Sequence, residues 1–285
     1  MTSSTPNLVC FWNANSVCCR LPFIDQFIHE KSPLVLAVCE SHLSASSAYI
    51  PTVHQYHTIS YPHTSHSGGH VYFIHSSVIF RELTSSHLRP SSSSSTQLSA
   101  IELLTPLSPK PVILVLIYIS PAMFANDVDS IVQCLYAIHT QYHATHDFLI
   151  GGDFNCKNSH FADLLPHQTT TYLSSHLISC IKTLDLICLN VTYCPNQPTY
   201  PSSKAVLDLA FSSDANIVSD TYIDANSDLL SDHIPISVTL TDVNNISSAK
   251  NSQFTEWKVE TANWQVFEST LSSFLQSWSQ FSTSN

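Results

Sequence analysis

Asp232 and His233 stand side by side between Ser231 and the apolar run Ile234-Pro235-Ile236. A carboxylate and an imidazole at the mouth of an apolar strand can hold a metal or a water with one group and move a proton with the other. Alone, the tripeptide is weak, since Asp-His pairs arise by chance and often only cap a strand. Its weight comes from a second acid-and-amide pair, Asp153 and Asn155 in Gly151-Gly152-Asp153-Phe154-Asn155, which also closes an apolar run, His146 to Ile150.

Other polar residues stand at the ends of expected strands. Asn13 follows Leu8–Trp12, Glu40 follows Leu34–Cys39, Tyr118 closes Val112–Ile117, and Asp208 lies within Val206–Phe211. If those strands pack as sheets, their ends can converge on one edge. Four carboxylates there repel, since a unit-charge pair 4 Å apart costs about 4 kcal/mol at an effective dielectric of 20. A divalent cation removes that penalty, and an oxygen-rich donor set suits Mg2+ or Mn2+ rather than zinc. Each residue has a plainer role open to it: Asn13 as a turn former, Glu40 as a solvated strand end, Tyr118 as a packed ring, Thr199 as a turn hydroxyl. Asp208 is harder to dismiss, because a buried unpaired carboxylate is costly, and pairing with His233 resolves it.

The elements that must place these residues follow from apolar patterning. Strands are expected at Asn7–Trp12 and Leu34–Cys39, both buried, and at Tyr56–Tyr61, His70–Ile74, Leu98–Leu104, Val112–Tyr118, Phe148–Ile150, Val206–Phe211, Ile217–Ile223 and Ile234–Leu240, with Val78–Leu83 as a hairpin partner. Helical spacing marks Leu21–Lys31, Val128–His139 and Ser175–Leu184. Hairpins mixed with strand–helix–strand units, and strands buried on both faces, indicate an α/β fold: a four-layer sandwich of two mixed β-sheets flanked by helices. The candidate residues run from 13 to 233, so one domain covers residues 1–242. A polar linker, Val243–Gln253, and an amphipathic helix bearing Trp264, Phe267, Leu271, Phe274, Leu275 and Trp278 fill 243–285.

Composition narrows the field. No stretch of about 18 uncharged apolar residues occurs, so no membrane span is expected, and Met1–Pro6 lacks the pattern of a secretory signal. Nine scattered cysteines without a C-x-x-C pair fit buried thiols in a reducing compartment, Cys10 and Cys39 among them. The chain has only four glycines, where average usage of about 7% would give roughly twenty. All four lie in two pairs, Gly68-Gly69 and Gly151-Gly152, and each pair is read as backbone where no Cβ fits. The formal charge of −11 stands against a polyanionic partner.

Taken in order, the motifs Phe11-Trp12-Asn13-Ala14-Asn15, Cys39-Glu40-Ser41-His42-Leu43, Ser67-Gly68-Gly69, Ile117-Tyr118-Ile119-Ser120-Pro121, Gly151-Gly152-Asp153-Phe154-Asn155, Pro198-Thr199-Tyr200-Pro201, Leu207-Asp208-Leu209-Ala210-Phe211 and Ser231-Asp232-His233-Ile234-Pro235 resemble the endonuclease/exonuclease/phosphatase superfamily. Within it they are most similar to the apurinic-type endonuclease domains of non-LTR retrotransposons. That resemblance implies Glu40, Asn13 and Asp232 as metal ligands for Mg2+, with Mn2+ as a substitute. It implies Asp153 and Asn155 for orienting the attacking water, and His233, oriented by Asp208, for the scissile phosphate. Tyr118 would donate a hydrogen bond to a phosphate oxygen or leaving group, while Thr199 and Ser231 would contact the substrate. His42 and most other histidines are assigned to the surface.

The leading functional expectation is a Mg2+-dependent endonuclease that nicks one strand of double-stranded DNA, in the nucleus, leaving a 3′-hydroxyl. A small-molecule phosphoesterase acting on a phosphoinositide or nucleotide is the second, favoured by the net charge. A non-catalytic remnant of a retroelement is the third. The Trp-rich C-terminal segment resembles the stretch that leads to a reverse transcriptase in such elements, and that domain is absent from this chain.

Overall fold

The computed structural model describes residues 7–44, 50–63, 68–84, 96–104, 108, 110–122, 125–156, 172–227 and 229–241, with backbone alone at 172–174. Outside the described residues lie Ser67, the serine run Ser91–Ser95, Lys157, residues 158–171, the linker Val243–Gln253 and the Trp264–Trp278 stripe.

In chain order the first elements are β1 (Leu8–Asn13), α1 (Val17–Lys31), β2 (Val35–Cys39), β3 (Tyr56–Tyr61), β4 (His70–His75) and β5 (Ile79–Glu82). Next come β6 (Thr96–Leu104), β7 (Val112–Ile119), α2 (Ala125–Tyr142), β8 (Asp147–Asp153) and α3 (Tyr172–Thr183). The last are β9 (Ile187–Cys188), α4 (Leu189–Tyr193), β10 (Asp208–Ser212), β11 (Val218–Ile223) and β12 (Ile236–Leu240). One six-stranded sheet runs β11-β12-β1-β2-β4-β3 and the other β5-β6-β7-β8-β10-β9. Each is mixed: β1 pairs parallel with β2 and antiparallel with β12, while β7 pairs parallel with β8 and antiparallel with β6.

Strict alternation along the strands builds four layers. Val9 and Phe11 of β1 share the inter-sheet core with Leu114, Leu116 and Leu149 of the second sheet. Cys10 and Trp12 face outward onto Ile24, Phe27 and Ile28 of α1. Ile113, Val115 and Ile117 face the other way, onto Ile131, Leu135 and Ile138 of α2. Both faces of the central strands are thereby buried, which is why they read as unbroken apolar runs.

Several boundaries differ from those expected. Helix α1 starts four residues before Leu21, because the amides of Ser16 and Val17 bond to the carbonyls of Glu40 and Ser41. Strand β5 is not a partner of β4, whose two edges are taken by β2 and β3; it crosses to the second sheet and pairs with β6. Strand β9 and helix α4 were not anticipated, since two and five residues carry too little periodicity. Strand β12 begins at Ile236 rather than Ile234, where Pro235 has no amide for the ladder and Ile234 gives its own to Thr199 O at 2.8 Å.

Candidate active site

The alternation that buries the core also aims the site. Cys39, Leu149, Ala210 and Tyr118 all belong to the inter-sheet core. Asn13 lies two residues beyond Phe11, Asp153 four beyond Leu149, and Asp208 two before Ala210, so their side chains enter the same gap at its mouth. Close approach of the sheets depends on Gly151, where a Cβ would lie 2.6 Å from the Phe11 ring. Two residues further along each strand, Asn13 Nδ2 donates to Asp153 Oδ2 at 2.9 Å and ties one sheet to the other. Gly152, at φ 134°, turns the strand end past the Ile117 carbonyl, which a side chain would strike.

Asp153 is the hub. Its Oδ1 accepts the Asn155 amide at 3.0 Å, and its Oδ2 accepts Asn155 Nδ2 at 3.1 Å as well as Asn13. Asn155, held at φ 46°, also donates to Ile119 O at 2.9 Å. On the neighbouring strand, Asp208 stands directly opposite Asp153 in register. His233 Nδ1 lies 2.8 Å from Asp208 Oδ2, and its Nε2 lies 3.9 Å from Asp153 Oδ2. Trp12 Nε1 holds the His233 carbonyl at 3.1 Å, and Tyr200 packs edge-on against the imidazole with ring centres 4.9 Å apart.

Asp153 and Asp208 are 1% and 2% exposed. Burial, then the charge of Asp208, pushes the Asp153 carboxyl well above the usual carboxylate range, against the pull of His233, Asn13 and the Asn155 amide. Burial alone would lower the His233 imidazole, but Asp208, Asp153 and Asp232 together raise it to about 9. Burial drives the Cys39 thiol far up, helped by Asp153, Asp208 and Glu40, so the fields of three carboxylates meet there and no thiolate competes for a cation.

Glu40 sits at φ 49° at the end of β2, with its carboxylate 3.8 Å from His42 Nε2. The Tyr118 acidity is suppressed mainly by burial and further by the Glu40 carboxylate nearby. The inward parity of β7 places Tyr118 in the inter-sheet core at the mouth of the gap. Asn13 keeps a free lone pair on Oδ1 beyond the bond it accepts from the Asn15 amide at 3.1 Å. Asp232 is exposed beside His233, and Ser231 Oγ donates to the Asn13 carbonyl at 2.7 Å while accepting the His233 amide at 3.2 Å. Ser231 thus fastens the Asp232–His233 turn to β1.

Thr199 is a correction. It was expected to touch substrate, yet it is 0% exposed, and its hydroxyl accepts the amides of Leu207 and Asp208, both at 3.0 Å. Two backbone donors that no strand satisfies draw the hydroxyl inward, away from any phosphate. Sequence reasoning overlooked Asn190, whose buried carboxamide bonds to the Asp208 carbonyl and the Ala210 amide. It overlooked Trp12 and Tyr200 as supports of His233, although both lie inside motifs singled out from the sequence.

Among the described residues, Asp153, Asp208 and His233 form the one group whose ligand atoms all lie within 4.8 Å of one another, so they could hold a metal ion. A two-sheet α/β sandwich with this constellation at one edge defines a fold of the endonuclease/exonuclease/phosphatase type. Residues 112–237 match the family model described as endonuclease-reverse transcriptase, and the resemblance to this superfamily and its retrotransposon endonucleases is thereby shown.

Solved structures share the fold. The endonuclease domain of TRAS1, a telomere-specific non-LTR retrotransposon, superposes with a TM-score of 0.66 at 13% identity, over 84% of this chain and 99% of that one. The AP endonuclease LMAP from Leishmania major gives 0.64 at 13% identity, over 82% and 87%. The 3'-5' exonuclease NExo from Neisseria meningitidis gives 0.60 at 15% identity, over 82% and 99%. No curated protein matches the chain by sequence. No described helix is long and apolar enough to cross a membrane.

Proposed function

We propose that this protein is a divalent-metal-dependent phosphodiesterase that nicks one strand of double-stranded DNA and leaves a 3′-hydroxyl. The observation that carries the reading is the Asp208–His233–Asp153 array, with its 2.8 and 3.9 Å spacings in a buried cleft mouth. An atom about 2.8 Å from both His233 Nε2 and Asp153 Oδ2 fits at the apex of that 3.9 Å gap, as a phosphate oxygen or a water would.

The donor set suits a hard divalent cation: carboxylates and carboxamides gather at a cleft mouth where burial, and then the charge of Asp208, already pushes Asp153 toward protonation. Glu40, Asn13 and Asp232 would hold Mg2+, or Mn2+ in its place. Once bound, the ion would neutralise phosphate charge and make water more acidic. The protein's own groups supply the remainder. Asp208 keeps a proton on His233 Nδ1, so Nε2 faces the cleft as a charged donor to a phosphate oxygen at neutral pH. Asp153, fixed by Asn13 and Asn155, accepts the proton of the attacking water. Tyr118 would donate a hydrogen bond to a phosphate oxygen or leaving group. The catalytic unit is residues 1–242, and residues 243–285 are an interaction segment that leads toward a reverse transcriptase in elements of this kind; action on genomic DNA places the protein in the nucleus.

Incubated with supercoiled plasmid and Mg2+, the protein should produce open circles that a polymerase extends without prior end repair. Asp153→Ala and His233→Ala proteins should not. Equal nicking by these variants would remove the assignment. A net charge of −11 favours a second reading, hydrolysis of a small phosphoester such as a nucleotide or phosphoinositide, because affinity for nucleic acid comes mainly from neutralising phosphates. Turnover of those substrates with intact plasmid would select it.

A further inference from the structure

Strand β9 is too short to cover β10. It pairs only with Phe211 and Ser212, and the chain then leaves the sheet as α4. Among the described residues, the outer edge of β10 from Asp208 to Ala210 therefore has no strand beside it, at the place where the Asp208 carboxylate enters the cleft. Peptide groups two residues apart face the same edge, and a buried edge must be satisfied. Asn190 satisfies it: Nδ2 donates to Asp208 O at 3.2 Å, and Oδ1 accepts Ala210 N at 2.8 Å. One carboxamide thus bonds the carbonyl of one residue and the amide two residues on, as a neighbouring strand would. The Asp208 amide, on the same edge, goes to the Thr199 hydroxyl at 3.0 Å.

We propose that Asn190 is a positioning residue for the reaction: it replaces the missing length of strand and locks the Asp208 backbone, and through it the 2.8 Å contact with His233 Nδ1. The kinetic consequence rests on the nuclease reading above; the geometric one does not. Asp208 is paired with Asp153 on its other edge, so its position is set from both sides at once. A backbone displacement of about 1 Å would take the His233 contact outside hydrogen-bonding range and free the imidazole to turn. Asn190 is 2% exposed and its carboxamide bonds to backbone atoms of Asp208 and Ala210, which separates it from the groups that would meet substrate.

Asn190→Leu keeps the branched heavy-atom skeleton, with larger methyl groups, and deletes both bonds. With plasmid and Mg2+, kcat should fall about 10–100-fold with little change in KM, as for other residues that orient a reacting group through a partner. In the protein without substrate, the downfield proton resonance of His233 Nδ1 should move upfield or broaden away. Cys194→Ala, at the other end of α4 and buried, removes packing without touching Asp208, and should leave both readouts unchanged at matched stability. If Asn190→Leu does not fold, Asn190→Ser, with one hydroxyl for two bonds, should shift the resonance part of the way. The proposal is overturned if the resonance is unmoved in the folded variant, or if Cys194→Ala reproduces the change. Wild-type protein that fails to nick DNA would count against the nuclease reading alone, since the resonance still decides the role of Asn190.

Discussion

Gly151 controls how closely the two sheets approach at the site. A methyl group there would lie 2.6, 2.6 and 2.7 Å from three atoms of the Phe11 ring, where ordinary contact is 3.4–4 Å. In Gly151→Ala the fully buried ring must retreat by about 1 Å. Overpacking of this kind costs about 1–3 kcal/mol, and the lower entropy of the unfolded chain returns about 0.4–1 kcal/mol, so the net loss should be about 1–2 kcal/mol. Because Asn13 and Asp153 lie two residues beyond the contact on each strand, the same displacement stretches their 2.9 Å hydrogen bond and should lower nicking as well. Truncating the partner makes room. Phe11→Leu alone should cost about 1 kcal/mol, and in the double variant the alanine should add almost nothing. Urea unfolding of the four proteins at 25 °C should thus give a coupling of about 1–2 kcal/mol. Gly152→Ala is the contrast, because it meets the Ile117 backbone at φ 134° and no side-chain truncation relieves it. Additivity of Gly151→Ala and Phe11→Leu within about 0.5 kcal/mol would refute the close-approach argument.

Thr199→Val leaves the buried amides of Leu207 and Asp208 without an acceptor. It should destabilise the protein by about 2–4 kcal/mol in urea unfolding, with nicking reduced in the folded fraction; an effect on KM alone would restore Thr199 as a substrate contact. The protein should also lose stability with rising pH in the absence of divalent cations. His233 is raised from 6.5 to about 9, so the folded state holds that proton more tightly than the unfolded chain, and its contribution is complete below pH 6.5 and gone above about pH 9. Asp153, raised above the usual carboxylate range, acts with the same sign from lower pH. Urea midpoints measured in EDTA should therefore fall between pH 6 and pH 9, and His233→Gln should flatten the upper part of that fall; a rising midpoint would contradict the burial of the cluster.

The order of motifs along the chain carried the superfamily resemblance, strand-end positions singled out Asn13, Glu40, Asp153 and His233, and the cost of an unpaired carboxylate within an apolar strand singled out Asp208. Such residues are legible because alternation is a local property: a residue two positions beyond a core side chain must share its face. Scarce glycine was equally legible, since the Gly151-Gly152 pair marks a backbone without space for a Cβ. The roles of Thr199 and Asn190 were not. Each depends on which unpaired group a distant segment brings near: two amides of the β10 approach for Thr199, the bare β10 edge for Asn190. The start of α1 and the sheet chosen by β5 were settled in the same way, by carbonyls after β2 and by the occupied edges of β4. Local sequence determines where a side chain points, whereas the hydrogen-bond partner it finds there is decided by chain segments far away in sequence.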